Sequence, residues 1–209
     1  MILRNATLTL ALAAVVLTWT TSGWTHDGVH AGKQASPRSD LAAPQVRVAR
    51  DLQYAVPDVR VVDAHGKASR LADHFSTTDV LLLNFVFTTC STVCSSQTAV
   101  LSETQRRLLA SGRRARFVSV TIDPDNDTPQ QLAAFARQFD IRRDWTFFTG
   151  EFDDLLRIQQ AFDVYRGSKA GHPPVVLLKL PEESTWVRIE GIAAPSDLLA
   201  VVDQRGTRR

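Results

Sequence analysis

The segment Val80 to Phe87 (VLLLNFVF) constrains this chain more than any other. A nearly unbroken apolar run, without polar alternation, marks a strand buried on both faces. Such a strand needs a layer packed on each side of its sheet. A chain of 209 residues with 44% apolar composition can supply both. The only two cysteines follow almost at once, at Cys90 and Cys94. The chemistry of the chain is therefore expected where this central strand ends.

The rest of the pattern alternates. Val59 to Asp63 reads as a strand, the Asp63–Lys67 stretch as a turn, and Ala68 to Leu71 as a returning strand. Leu71 to Phe75 is expected to form one helical turn. After the cysteines, Val93, Leu101 and Leu108 mark an amphipathic helix that Ser111-Gly112 stops. Arg116 to Ile122 (RFVSVTI) is a second strand. Thr128-Pro129 is a helix start, with Thr as N-cap and Pro at the first helical position. Trp145 to Thr149 is a short strand, and Phe152 to Phe162 a helix. Val175 to Leu180 and Thr185 to Glu190 form a late hairpin, and Pro195 to Gln204 a last helix. Alternating strands and helices give an α/β class. The expectation is a thioredoxin-like fold: a central, mostly parallel sheet, flanking helices and a late antiparallel hairpin at one edge.

Composition excludes one class of function. The net charge of +2 gives no nucleic-acid footprint. The basic C-terminal end (Arg205, Arg208, Arg209) reads as a solvated tail. At the other end, Arg4, the apolar run Ala6 to Trp19 and the small residues Thr21, Ser22 and Gly23 describe an export signal. No formal charge stands between Arg4 and Asp27. That gap of about 20 residues equally suits one membrane span. Residues 1–23 are thus a signal peptide or membrane anchor, 24–45 a linker, and 46–209 the folded domain, placed outside the cytoplasm.

Cys90 and Cys94 lie between a strand and a helix. Open α/β sheets bind ligands at that edge. A spacing of four places both sulfurs on one face of a first helical turn. The helix N-terminus favours thiolate there. A disulfide between residues so close in sequence closes almost no loop, so a purely structural bridge gains little. The pair can hold a soft metal, exchange a disulfide, or do both. Two thiolates favour Cu(I) or zinc over hard cations. A third ligand is then expected from five histidines: His26, His30, His65, His74 and His172. His172, just before the strand Val175 to Leu180, faces the cysteines if that strand runs antiparallel to Val80–Phe87. His65 and His74 are expected in solvent. Asp123 and Asp127 follow the second strand. They read either as helix-capping residues or as rim carboxylates that orient a ligand or dock a partner.

Together, Asn84-Phe85-x-Phe87-Thr88-x-Cys90-x-x-x-Cys94, Asp123-Pro124-x-x-Asp127-Thr128-Pro129 and the histidine before a late strand resemble the Sco/SenC family of copper-binding, thioredoxin-like proteins. The resemblance covers about residues 46 to 204. It implies Cu(I) held by Cys90, Cys94 and His172, a role in assembling the copper centre of cytochrome c oxidase, an N-terminal membrane tether and a periplasmic or intermembrane location. The implied partners are the copper-site subunit of that oxidase, or another cuproprotein, and a thiol reductant protein. The chain departs from the family pattern at Ser91 and Ser95, where proline often follows each cysteine, and at Gly171, Pro173 and Pro174 around the histidine. These changes bear on the docking surface.

Two other functions remain open from the residues. A thiol–disulfide oxidoreductase needs both cysteines but not His172. A thiol peroxidase is compatible with a threonine before the cysteine; the second cysteine four residues on and the lack of an obvious paired arginine nearby argue against it. In the linker, cleavage after Gly23 would leave Trp24-Thr25-His26 as a chelator for Cu(II) or Ni(II), with His30 four residues further on.

Overall fold

The computed structural model describes residues 46–76, 78–181 and 183–206. The expected signal or anchor, the linker with His26 and His30, and the last residues, Arg208 and Arg209, lie outside the described residues. Among these, no helix is long and apolar enough to cross a membrane.

The chain runs β1 (Arg47–Leu52), β2 (Arg60–Asp63), β3 (Ala68–Arg70), β4 (Val80–Val86), α1 (Val93–Ala110), β5 (Ala115–Thr121), α2 (Pro129–Ala136), β6 (Trp145–Thr149), α3 (Phe152–Ala161), β7 (Val175–Lys179), β8 (Trp186–Glu190) and α4 (Pro195–Gly206). Single 3-10 turns occur at Leu71–His74 and Lys169–Gly171. All eight strands join one sheet in the order β1-β8-β7-β4-β5-β6-β2-β3. The parallel part is the central trio β4, β5 and β6. Antiparallel strands flank it on both sides. The fold is thioredoxin-like and α/β, as expected.

The hairpin is not at the sheet's edge. β1, which the sequence did not mark as a strand, pairs antiparallel with β8 and covers it. β1 (RVARDL) is exposed along most of its length and shows no alternation, so only its backbone pairing defines it.

Every residue of β4 is buried, and the two faces divide by period two. Val80, Leu82 and Val86 pack on one face with Leu101 and Leu108 of α1, Leu132 of α2, and Leu198 and Val202 of α4. Leu81, Leu83 and Phe85 pack on the other with Leu155 and Ile158 of α3, and with Phe162 and Trp186. Each such fully buried side chain contributes about 1.5–3 kcal/mol of transfer free energy. Asn84 is the one polar residue of the run, and it is satisfied inside the core. Trp145 Nε1 donates to Ser119 Oγ at 2.8 Å, and Ser119 Oγ donates to Asn84 Oδ1 at 2.7 Å. Asn84 Nδ2 reaches Gln97 Oε1 on α1 at 3.5 Å. This buried polar chain fixes α1 against the central strand, and with it the helix end that carries Cys94.

Candidate metal and thiol centre

The cysteine turn forms because β4 ends at Val86 and α1 begins only at Val93. Cys90 N donates to the Phe87 carbonyl at 3.1 Å, which closes a tight turn. Cys90 therefore sits in the turn rather than on the helix face that its spacing suggested. The sulfurs still converge, because Thr92 at the N-cap makes no side-chain cap. The Cys90 sulfur takes that place and accepts from Cys94 N at 3.3 Å. Free backbone donors at a helix start are open to such an acceptor.

The two thiols differ. Burial works to raise the Cys90 thiol, but hydrogen bonds from the Cys94 backbone and side chain, and from the Thr92 and Val93 backbone, hold it below its ordinary value. Burial pushes Cys94 up to about 12, helped by its bond to Cys90 and by the charges of Cys90 and Asp127. Both cysteines are free thiols. The half-buried Cys90 thus ionises more readily than an ordinary thiol, whereas the buried Cys94 keeps its proton at neutral pH.

Asp127 lies beneath the turn rather than on its rim, with no exposed surface. Its Oδ1 accepts from Thr88 N at 3.1 Å and from Thr88 Oγ1 at 2.5 Å, and the Thr121 hydroxyl donates to its Oδ2. A buried carboxylate with several donors is satisfied in place, so its role is internal. Asp123 N donates to Thr121 Oγ1 at 2.9 Å. The Asp123 carboxylate accepts from Asn126 Nδ2 at 3.0 and 3.1 Å and pairs with Lys169 Nζ at 2.5 Å. One polar network thus runs from Thr88, two residues before Cys90, through Asp127, Thr121 and Asp123 to Lys169, three residues before His172. Thr128 caps α2, as the sequence implied, accepting from Gln131 N at 3.3 Å.

β7 runs antiparallel to β4, with Val176 opposite Asn84. Its start therefore lies at the strand end where the cysteines follow, as expected. His172 precedes it, edge-on to Phe85 at 6.0 Å between ring centroids. Both imidazole nitrogens are buried, and among the described residues neither makes a hydrogen bond of good geometry. Burial pushes the His172 pKa down to about 4; the Val164 backbone opposes the shift, and Arg166 and Arg188 add to it. The imidazole is neutral at physiological pH, and the Val164 backbone holds it only weakly. Among the described residues, no three His, Cys, Asp or Glu side chains stand together as a ready-made metal cage. The structure joins Cys90 to Cys94 and leaves His172 as a separate neighbour at the same end of the sheet.

The other described histidines stand apart. His65 is exposed. His74 is half-buried rather than in solvent: its Nε2 bonds Ser69 Oγ at 2.8 Å, and its ring packs on Phe148 at 4.5 Å. Desolvation lowers its pKa. Thr88 stood in the cysteine motif without a role assigned to it, and the sequence reading missed Thr121 and Lys169. Thr121 lies two residues before Asp123 and could have been suspected. Lys169 pairs with a residue 46 positions away, and no local signal announces it.

A thioredoxin-like sheet with a dithiol at the end of its central strand defines a class of thiol and soft-metal proteins. Within it, a family profile described as SCO1/SenC matches residues 50–181, and the chain belongs to that family. It is 40% identical over 73 residues to a SCO1 protein homolog of Bacillus subtilis (strain 168). That stretch spans 34% of this chain and 38% of the relative, well under two thirds of the relative's length. The solved structure of BsSco, a Sco-family cytochrome c oxidase assembly protein with a disulfide switch, superposes with a TM-score of 0.63 at 25% identity. It covers 76% of this chain and 97% of that one. Arabidopsis thaliana ScoI with copper bound has the same fold at 20% identity, with a TM-score of 0.63, covering 73% and 98%.

Proposed function

We propose that this protein carries Cu(I) as cargo on Cys90, Cys94 and His172 and delivers it, outside the cytoplasm, to the copper centre of cytochrome c oxidase or another cuproprotein. The observation that carries this reading is the His172 imidazole, buried and neutral, with neither nitrogen in a well-formed hydrogen bond among the described residues. A buried polar group without a partner calls for an explanation. Two sulfurs and an imidazole are a donor set for soft Cu(I), and hard cations want oxygen cages instead. Loading brings the His172 turn and the cysteine turn onto one ion and releases the proton that Cys94 holds. Family membership and the copper-bound state of the Arabidopsis relative support the reading. The apolar segment before Asp27 supports export or a tether.

A second reading rests on the inequality of the thiols. The Cys90 thiolate attacks a client disulfide and releases one client thiolate, leaving a mixed disulfide. Cys94, on losing its proton, attacks the Cys90 sulfur and releases the second client thiolate. The client gains two electrons, this chain ends as the Cys90–Cys94 disulfide, and a thiol reductant protein restores it. The two functions are compatible, because only the dithiol holds Cu(I).

The deciding experiment is an anaerobic Cu(I) titration of the reduced protein against a competing chelator, with His172→Ala alongside. One tight equivalent that weakens in the variant supports the copper carrier. Weak binding in both, without a histidine effect, puts the oxidoreductase first.

A further inference from the structure

The segment that brings His172 to the site has little apolar anchorage of its own. Tyr165 to Gly171 is exposed along its whole length. Its start is fastened by buried Arg188, whose guanidinium donates to the Phe162 carbonyl at 2.9 Å and the Asp163 carbonyl at 3.1 Å. Its end is fastened by Lys169, which opens the 3-10 turn just before His172.

Lys169 makes three contacts that meet at the site. Its ammonium pairs with Asp123 at 2.5 Å. The same ammonium lies 6.0 Å from the centroid of the Phe87 ring, within the range of a cation–π contact. Its carbonyl accepts from His172 N at 3.2 Å. One residue thus touches the loop after β5, the residue whose carbonyl holds Cys90, and the backbone of His172. Asp123 is a fixed anchor, being 6% exposed and held by Asn126 and Thr121.

We propose that Lys169 is the positioning residue for His172, pinning the Lys169–Gly171 turn to Asp123 so that the imidazole meets the thiolates from a held turn rather than from a free loop. This rests on the reading that His172 completes the copper site. Residues that orient a metal ligand typically cost about 10–100-fold in metal affinity when removed. An ion pair open to solvent on one side is also screened by salt.

The test uses the reduced full-length chain as wild type, Lys169→Met, Lys169→Arg and His172→Ala. Three quantities are read: Cu(I) affinity by chelator competition at low and high salt, amide hydrogen exchange at Gly171 and His172 in the metal-free protein, and Tm. Lys169→Met should weaken Cu(I) binding by about tenfold and speed exchange at both amides, with Tm unchanged. Lys169→Arg should recover most of the affinity. High salt should weaken the wild type toward Lys169→Met and leave that variant where it is. Wild-type affinity and exchange in Lys169→Met, beside a weakened His172→Ala, would overturn the proposal alone. Unchanged affinity in His172→Ala would overturn the copper reading beneath it.

Discussion

The cysteine turn and the histidine turn sit at the same end of the sheet and are built in opposite ways. The cysteine turn is exposed at Thr89 and from Ser91 to Val93, but its two ends rest on buried groups. Asp127 below it is fully buried and bonded to Thr88 and Thr121, and α1 is fixed by the chain from Trp145 to Gln97. The histidine turn is exposed, held at one end by Arg188 and at the other by a single ion pair. Among the described residues its imidazole nitrogens make no well-formed hydrogen bond. Under the proposed copper-carrier function the contrast separates two demands: the thiols that would set affinity stand on a rigid frame, and the donor that would complete the site stands on an exposed turn held by few contacts.

The largest effect should come from the rigid side. Cys90→Ser or Cys94→Ser should abolish tight Cu(I) binding in the anaerobic titration. Near-normal affinity in either would mean that the two sulfurs do not share an ion. Removing the support should cost folding instead. Asp127→Ala strands the half-buried Thr88 N–H and hydroxyl and the buried Thr121 hydroxyl. The expected loss is about 2–4 kcal/mol in denaturant unfolding. The same variant should lower the Cys94 pKa, because the Asp127 charge helps to raise it.

The thiols should also separate by reactivity. Alkylation of the reduced protein should label Cys90 first, with a midpoint below the ordinary thiol value of 9. Cys94 should resist until the pH approaches about 12. Equal labelling of both near neutral pH would erase the division between attacking and resolving thiol.

The histidine side should give smaller, pH-dependent effects. His172→Ala should weaken Cu(I) binding and leave the disulfide formable. The imidazole has its pKa lowered from 6.5 to about 4 in the folded chain. Between those values the unfolded chain binds the extra proton, so the stability from neutral His172 is present above about 6.5 and lost as pH falls toward about 4. The slope is at most about 1.4 kcal/mol per pH unit. His172→Ala should flatten it in unfolding curves taken across that window. An unchanged slope would place the titration elsewhere.

Much of the rigid side was legible from the sequence, and little of what fastens the histidine side. Val80–Phe87 announced a doubly buried strand because both faces of β4 are covered and no polar alternation is needed. Thr128-Pro129 announced its helix through local capping chemistry. The antiparallel approach of β7 to β4 was expected as a condition and is met, which brings His172 to the cysteine end. β1 was not legible, since its exposed residues carry neither period and it exists by pairing with a strand far along the chain. The Lys169–Asp123 pair was hidden for the same reason: it is a tertiary contact between two charged residues that each read as surface. His74 misled because a histidine near a turn looks solvated, whereas Ser69 and Phe148 enclose it.

The measurement closest to the central claim is the Cu K-edge X-ray absorption spectrum of the protein loaded with one equivalent of Cu(I). The edge should be three-coordinate, with two sulfur neighbours and one imidazole nitrogen, and His172→Ala should lose the nitrogen shell. A linear two-sulfur shell in the wild type, identical in the variant, would contradict that claim and leave Cys90 and Cys94 as a redox pair beside an uninvolved histidine.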